Sequence, residues 1–389
     1  MNAHKKIQPL PYPLYFWTVA ILALASLANA VYLAVSHYRV YTDMGYRSFC
    51  AVSRSINCDT VSQSPFSILL GVPVPVWGVF AYLFFTVLLL AARPSTTEKS
   101  RIWPTLFVVS GGFSIYSVIL AFISTVYIHS YCIMCIASYA GNFALLYFTW
   151  MTYRRFGRTT MWVGLKSDLK FYTRTWQKRI VFVVITVIFS IMLVAFFPAY
   201  WKMSAPVLDQ KLPTGTTADG HPWIGAVDPQ LTIVEFTDYQ CFQCRKMHFY
   251  LREFIAAHPG KIRLVHRHFP MDHVYNPLVK DPAYHGGSGK MALFALYAAR
   301  EDAFWKINDM LFNMDTKTGH FNLRPMAAAG GFALHDFANA VNDRRLQYQL
   351  ILDIREGMKL GVTGTPAYLI DGEVYVGNVP PGILEAAIQ

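Results

Sequence analysis

Five runs of the chain are mostly apolar and carry no charged residue: 14–36, 66–92, 102–128, 130–153 and 180–201. Each reaches the roughly 20 residues that a helix needs to cross a bilayer. The third and fourth are separated by little more than His129. From residue 202 onward no long apolar run recurs, and charges are scattered throughout. There the pattern shortens. Residues 231–237 (Leu-Thr-Ile-Val-Glu-Phe-Thr) predict a strand. An amphipathic helix of about fourteen residues follows from Cys241 and ends near His258-Pro259-Gly260, and a second strand follows over 261–267. The pattern predicts a helical membrane half followed by an α/β soluble half.

Composition agrees. Of the 389 residues 54% are hydrophobic and 15% charged, against roughly 25% charged in a typical soluble protein. Mean hydropathy is +0.31. These values exclude a disordered chain and argue against an ordinary soluble enzyme. The net charge of +11 suggests either a polyanion partner or a membrane, and its position decides. The N-terminal segment, 93–101 and 154–179 together hold thirteen basic and two acidic residues, which is the entire surplus. Basic inner loops between spans place the N-terminus in the cytoplasm and exclude a nucleic-acid binder. Loop 37–65, the turn at 129–132 and everything after 201 then face outward. Two other readings stay open. Ala28-Asn29-Ala30 resembles a signal-peptide cleavage site, and the basic segment 154–179 suits an anionic lipid surface.

The cysteines are Cys50, Cys58, Cys132, Cys135, Cys241 and Cys244. In this topology all lie on the outer face or at its membrane boundary, where disulfides persist. They read as one C-x7-C and two C-x2-C pairs. A static bridge suits the first. For the C-x-x-C pairs, so short a loop gains little entropic stability, and the spacing suits thiol–disulfide exchange. Zinc is disfavoured because more than a hundred residues separate the two C-x-x-C pairs. His248, His266, His268 and His273 are read as packed or solvated, and no metal is expected.

Strand, C-x-x-C and helix in that order form a thioredoxin-like redox site. Cys241 falls at a helix N-terminus, where free N–H groups and the dipole stabilise a thiolate, so it is the attacking sulfur and Cys244 the resolving one. Further on, Val362-Thr363-Gly364-Thr365-Pro366-Ala367-Tyr368 precedes an apolar strand and the turn Asp371-Gly372. The stretch from Phe236 to Cys244, with Thr365-Pro366, resembles the DsbA-like branch of the thioredoxin superfamily. That resemblance implies a cis-proline facing the cysteines and a helical insertion over 284–345. The dipeptide between the cysteines, Phe-Gln rather than Pro-His, leaves the strength as an oxidant open.

Cys132-Ile133-Met134-Cys135 opens the fourth run, with Tyr139 four residues on. The outer loop supplies Cys50 and Cys58, then Ser64 six residues later, then Gly71-Val72-Pro73 and Trp77-Gly78. In this order the set resembles the vitamin K epoxide reductase family over about residues 12–153. One position departs: Val74 stands near the place of an asparagine that binds quinone in the animal enzymes. With the C-terminal half, the whole chain resembles prokaryotic homologues in which a fifth span joins the bundle to a thioredoxin-like domain.

The expected architecture is therefore a transmembrane four-helix bundle (1–153), a basic cytoplasmic loop (154–179), a fifth span (180–201), a linker (202–225) and a DsbA-like thioredoxin-fold domain with a helical insertion (226–389). The resemblance implies a relay. Electrons pass from reduced exported proteins to Cys241/Cys244, then to Cys50/Cys58, then to Cys132/Cys135, and finally to a quinone of the ubiquinone or menaquinone class. Ser64 and Tyr139 would hydrogen-bond the quinone or its developing oxyanion, with helix packing as their plainer role. Trp77 and Phe80 are candidate pocket linings. Thr365 and Pro366 would face the protein substrate. The implied setting is a bacterial inner membrane, with the thioredoxin-like domain periplasmic and the lipid bilayer and quinone pool as partners. Two other readings remain. A reductant importer would need cysteines in the inner loops, where this chain has none. A membrane-anchored thioredoxin-like chaperone would carry static bridges.

Overall fold

A computed structural model describes residues 10–52, 55–90, 92–93, 102–157, 159–172, 184, 191, 194–203, 205–206, 212–282, 284–314 and 321–389. The chain divides into two units, Met1–Trp201 and Lys202–Gln389.

The first unit is helical. Helix α1 spans Tyr12–Thr42, α2 Cys58–Gln63, α3 Val74–Leu90, α4 Trp103–Ile123, α5 Ile133–Phe156 and α6 Met161–Tyr172. Among the described residues, three helical stretches are long and apolar enough to cross a membrane: Tyr12–Thr42, Trp103–Ile128 and Ile133–Phe156. Helix α1 packs on α3 and α5, and α5 packs on α4. Close approach is possible because the contact positions are small. A Cβ added at Gly141 would lie 2.7 Å from the Ser26 hydroxyl, and one at Gly78 would lie 3.5 Å from Ala30.

The helices are apolar outside as well as inside. Val19, Phe85, Trp103, Leu106 and Leu145 are buried, while Trp17, Ile21, Val87, Ile115 and Phe122 are each more than half exposed. Ser110, Ser114, Ser117, Asn142 and Thr149 are buried between them. Polar groups inside and large apolar ones outside suit a lipid surround.

Three features differ from the expected spans. The second run does not start helical at 66. Residues 65–67 form a 3-10 turn, and Ile68–Leu69 (β1) pairs antiparallel with Val72–Pro73 (β2). Pro65, Pro73 and Pro75 disfavour a continuous helix, and Leu70 and Gly71 take positive φ (52° and 76°) to close the hairpin. Helix α3 is left with 17 residues. Next, helix α4 runs into a π-turn over Ser124–Ile128 before Cys132. Finally, the basic segment 154–179 holds a helix, α6. Its acid, Asp168, is buried and accepts from the Ile102 amide (3.2 Å) and the Thr105 hydroxyl (2.8 Å) at the start of α4. The expected fifth span, 180–201, lies mostly outside the described residues.

The second unit holds a six-stranded sheet of order β3-β4-β6-β5-β7-β8. Its strands are β3 Thr214–Thr216, β4 Pro222–Gly225, β5 Leu231–Thr237, β6 Ile262–His268, β7 Ala367–Ile370 and β8 Glu373–Val376. Strands β5 and β6 are parallel, and the other pairings are antiparallel. Helix α7 (Phe242–Ala257) connects β5 to β6, as a parallel pair requires. Residues 214–225, expected to be linker, form two strands of this sheet instead. At three and four residues they are too short to show a period in sequence. The expected insertion is helical: α8 Ser288–Arg300, α9 Phe304–Phe312, α10 Arg324–Gly330 and α11 Leu334–Asn339. Then α12 (Arg344–Lys359) leads back to the sheet, and α13 (Pro381–Ile388) follows β8. A core of Phe236, Cys244, Phe269, Met291, Leu293, Leu311, Leu350 and Ala367 joins sheet and insertion.

Candidate active site

In the first unit, Cys50 and Cys58 form a disulfide with Cα atoms 5.7 Å apart. Cys58 is the first residue of α2, whose N-cap Asn57 accepts from the amides of Asp59 (2.9 Å) and Thr60 (3.1 Å). The loop is clipped to the segment before Cys132. Ile56 and Tyr131 form a parallel bridge, the Asn57 amide donates to Tyr131 O (3.0 Å), and the Tyr131 amide donates to Ser55 O (2.8 Å). As a result Cys50, Cys58 and Cys132 are buried in one cluster, with Cys135 packed against it. Cys132 is the N-cap of α5, and its sulfur accepts from the Cys135 amide at 3.2 Å.

Below this cluster lies a cleft of about 190 Å³ between the helices. Cys135, Tyr139 and Trp77 line it, with Tyr116, Ser117, Ser138 and Asn142 among its polar groups. A second arm of about 70 Å³ shares Cys135 and Tyr139 and is lined also by Ser64, Ser67 and His37. The Ser64 hydroxyl donates to Val61 O (2.8 Å). Phe80 does not line either arm. The sequence reading missed Asn142, Ser117 and His37. For Asn142 and Ser117 a polar side chain inside an apolar run was the available signal, because such groups in a span are costly and point inward, whereas His37 lies just past the end of the first run. Asn142 accepts from the Tyr82 hydroxyl (2.8 Å) and donates to Ser117 (2.9 Å).

In the second unit, Cys241 is the N-cap of α7, and its sulfur accepts from the Cys244 amide at 3.2 Å. The Thr365–Pro366 bond is cis, and Cys241 lies 3.6 Å from Thr365 O. Thus the proline loop faces the cysteines. Burial works against the Cys241 thiolate, but hydrogen bonding from Cys244 and the field of His285 outweigh it and bring this thiol below its ordinary value. Burial, and then the neighbouring Cys241, push Cys244 well above. One sulfur is readied to attack, and the other stays protonated until its turn.

Beneath the cysteines sits a polar cluster. Glu235 Oε1 is 2.7 Å from His248 Nδ1 and 2.8 Å from His266 Nδ1, and all three side chains are fully buried. Burial would raise the Glu235 carboxyl, but the two imidazoles hold it down at about 2. The geometry is that of hydrogen bonds. Ligands about 2.0–2.1 Å from a tetrahedral metal lie about 3.3 Å from one another, farther apart than these atoms. His248 and His266 are packed and hydrogen-bonded to Glu235. His268 is also buried, whereas His273 is partly exposed. Glu235 itself was missed, although a lone acid in a strand otherwise built of apolar residues and threonine signals a buried partner.

Comparison with known proteins bears on both units. Residues 17–150 match the vitamin K epoxide reductase family, and residues 217–389 match the thioredoxin family. The chain joins a vitamin K epoxide reductase family domain to a thioredoxin domain. The family match with the three apolar helical stretches among the described residues indicates a membrane protein. Similar solved structures include a thioredoxin-like oxidoreductase from Silicibacter pomeroyi DSS-3. It is 23% identical, with 43% of this chain and 90% of that one covered and a TM-score of 0.35. Another is the thiol-disulfide exchange protein alpha-DsbA2 from Wolbachia pipientis, 21% identical, covering 43% and 85%, with a TM-score of 0.34. Curated relatives include Na(+)/H(+) antiporter NhaA 3 of Salinispora tropica, 26% identical over 165 residues, and NhaA 1 of Salinispora arenicola, 25% over 166. Each match covers 42% of this chain and 24% of the antiporter. The chain thus spans about a quarter of the length of these relatives, and their ion exchange is not carried over to it.

Proposed function

We propose that the protein forms disulfides in exported proteins and passes the electrons to a membrane quinone. The reading rests above all on one observation: Cys58 and Cys132 share a buried cluster, while Cys135 faces an apolar cleft on its other side. Sulfur chemistry and a hydrophobic acceptor meet at one residue.

A reduced substrate dithiol closes to a disulfide as it opens Cys241–Cys244. That dithiol then opens Cys50–Cys58. Cys58 next exchanges with Cys132, leaving Cys132/Cys135 reduced. In each exchange a thiolate attacks a disulfide sulfur, one S–S bond forms, one breaks and two electrons move. The low Cys241 thiol and the high Cys244 thiol suit the first step.

The cleft residues fit a quinone in chemistry. The cleft walls are apolar and aromatic, with a few hydroxyls. When bound, a quinone supplies a two-electron, two-proton acceptor. Tyr139, between the two arms, and Ser64, in the second, would bind its oxygens and stabilise developing negative charge. Cys135 would stand as the last sulfur of the relay.

For the membrane domain we favour four spans around the cleft and a fifth leading to the thioredoxin domain. The N-terminus would be cytoplasmic and the thioredoxin domain outside a bacterial inner membrane. The test is reconstitution of the full chain with a reduced dithiol protein and a quinone. Thiol loss should match quinol formation, and Cys135→Ala should stop quinol formation. Normal turnover by a Cys132→Ala/Cys135→Ala double variant would sink the relay. Cysteines that stay oxidised under every growth condition would favour the chaperone reading.

A further inference from the structure

His37 is a buried titratable group on the cleft that the relay leaves without a task. It lies in the last turns of α1 and is fully buried, and it lines the same arm as Ser64, Tyr139 and Cys135. Both ring nitrogens have hydroxyl neighbours. Nδ1 is 2.7 Å from the Tyr200 hydroxyl, and Nε2 is 3.3 Å from the Ser67 hydroxyl. Tyr200 is only half-buried, whereas Ser67 lines the arm. The rings around the pair are aromatic: Tyr41 packs 5.1 Å from His37, and Tyr38, Tyr41 and Trp201 pack against Tyr200. A half-buried hydroxyl, an imidazole and a hydroxyl in the cleft are therefore joined by hydrogen bonds.

The proposed reaction gives these groups a task. Reducing a quinone takes two electrons and two protons. The electrons leave Cys132 and Cys135 as these close to a disulfide. The attacking sulfur reacts as a thiolate, so at least one of the two protons does not travel with the pair. The net change is quinone plus one thiol plus one thiolate plus one proton giving quinol plus one disulfide, and that proton must enter an apolar cleft. A neutral imidazole donates at one nitrogen and accepts at the other. It can take a proton on one side and release one on the other, which a purely structural hydrogen-bonding group cannot do.

Resting on the quinone reading above, we propose that Tyr200, His37 and Ser67 form the path by which protons reach the quinone, with His37 as the carrier. Ser64 and Tyr139 bind; His37 supplies.

The test uses the full chain in lipid nanodiscs, a short-tailed benzoquinone and a small dithiol. His37→Gln keeps a hydrogen-bonding side chain but carries no proton. It should lower quinol formation at least tenfold and leave Cys132/Cys135 reduced, as read by maleimide gel shift. Quinone affinity, followed by quenching of tryptophan fluorescence (Trp77 lines the cleft), should stay within twofold. Added imidazole should restore turnover to His37→Gly. Tyr200→Phe, which removes only the half-buried hydroxyl, should slow turnover severalfold and serves if the His37 variants misfold. Wild-type turnover in His37→Gln or Tyr200→Phe would overturn the path. So would loss of affinity in step with turnover, which would make His37 a lining residue. Quinol formation that persists in Cys135→Ala would instead overturn the quinone reading itself, so the two failures are distinguishable.

Discussion

Cys241 and Cys244 differ in burial by only a few per cent, yet their thiols are pushed in opposite directions. Position on the helix makes the difference: the Cys241 sulfur receives the free amide of Cys244, and the Cys244 sulfur is turned into the core. Alkylation of the reduced protein should therefore label Cys241 below the ordinary thiol value of about 8.5 and leave Cys244 unlabelled, which iodoacetamide trapping across pH with mass spectrometry would check. Stabilising the thiolate stabilises the reduced pair, so Cys241/Cys244 is expected to be oxidising despite the Phe-Gln dipeptide. Glu235 makes a second residue-scale case. Removing it by Glu235→Ala leaves His248 and His266 without their shared acceptor, at an expected cost of about 3 kcal/mol in chemical denaturation of the thioredoxin domain. Its folded-state carboxyl is held at about 2, below the unfolded value of about 4.3. That stabilisation is complete above the unfolded value and is lost as pH falls toward 2. His266 is depressed chiefly by burial, so its contribution fades in the same direction once pH drops below about 6.5. The melting temperature of the thioredoxin domain should fall steadily on acidification from pH 7, and a flat profile would contradict the cluster.

At the scale of elements, α2 and the bridge at Ile56–Tyr131 decide where the loop pair sits. Neither was legible in the sequence, because a six-residue helix and a single bridge have no period to read. Asn57 joins them: its side chain caps α2, and its amide holds Tyr131 O. Loss of the cap in Asn57→Ala should cost about 1 kcal/mol and loosen Cys58 from Cys132. Stopped-flow exchange between the two pairs should slow severalfold, with the Cys241/Cys244 reaction untouched. The β1–β2 hairpin shows the converse. The prolines were visible at 65, 73 and 75, yet an unbroken apolar run over 66–92 masked their effect on where α3 begins. Strands β3 and β4 went unread for another reason: isolated strands of three or four residues become strands only by pairing with a neighbour.

For the whole molecule, the two domains carry separable chemistry. Cys241→Ala should abolish oxidation of a protein dithiol while leaving quinone reduction by small dithiols intact. Paired assays of thiol loss and quinol formation would show it, and equal loss of both would argue against a serial relay. Much of this plan was readable beforehand. Apolar runs, basic segments, cysteine spacing and the strand–C-x-x-C–helix order are local properties of the chain, so they identify the two domains and the six sulfurs. Tertiary structure alone places Cys58 and Cys132 in one cluster, aims Cys135, Tyr139 and Asn142 into one cleft, turns Pro366 toward Cys241 and sets Glu235 between two histidines. Those contacts join residues from separate segments, and only packing brings them together.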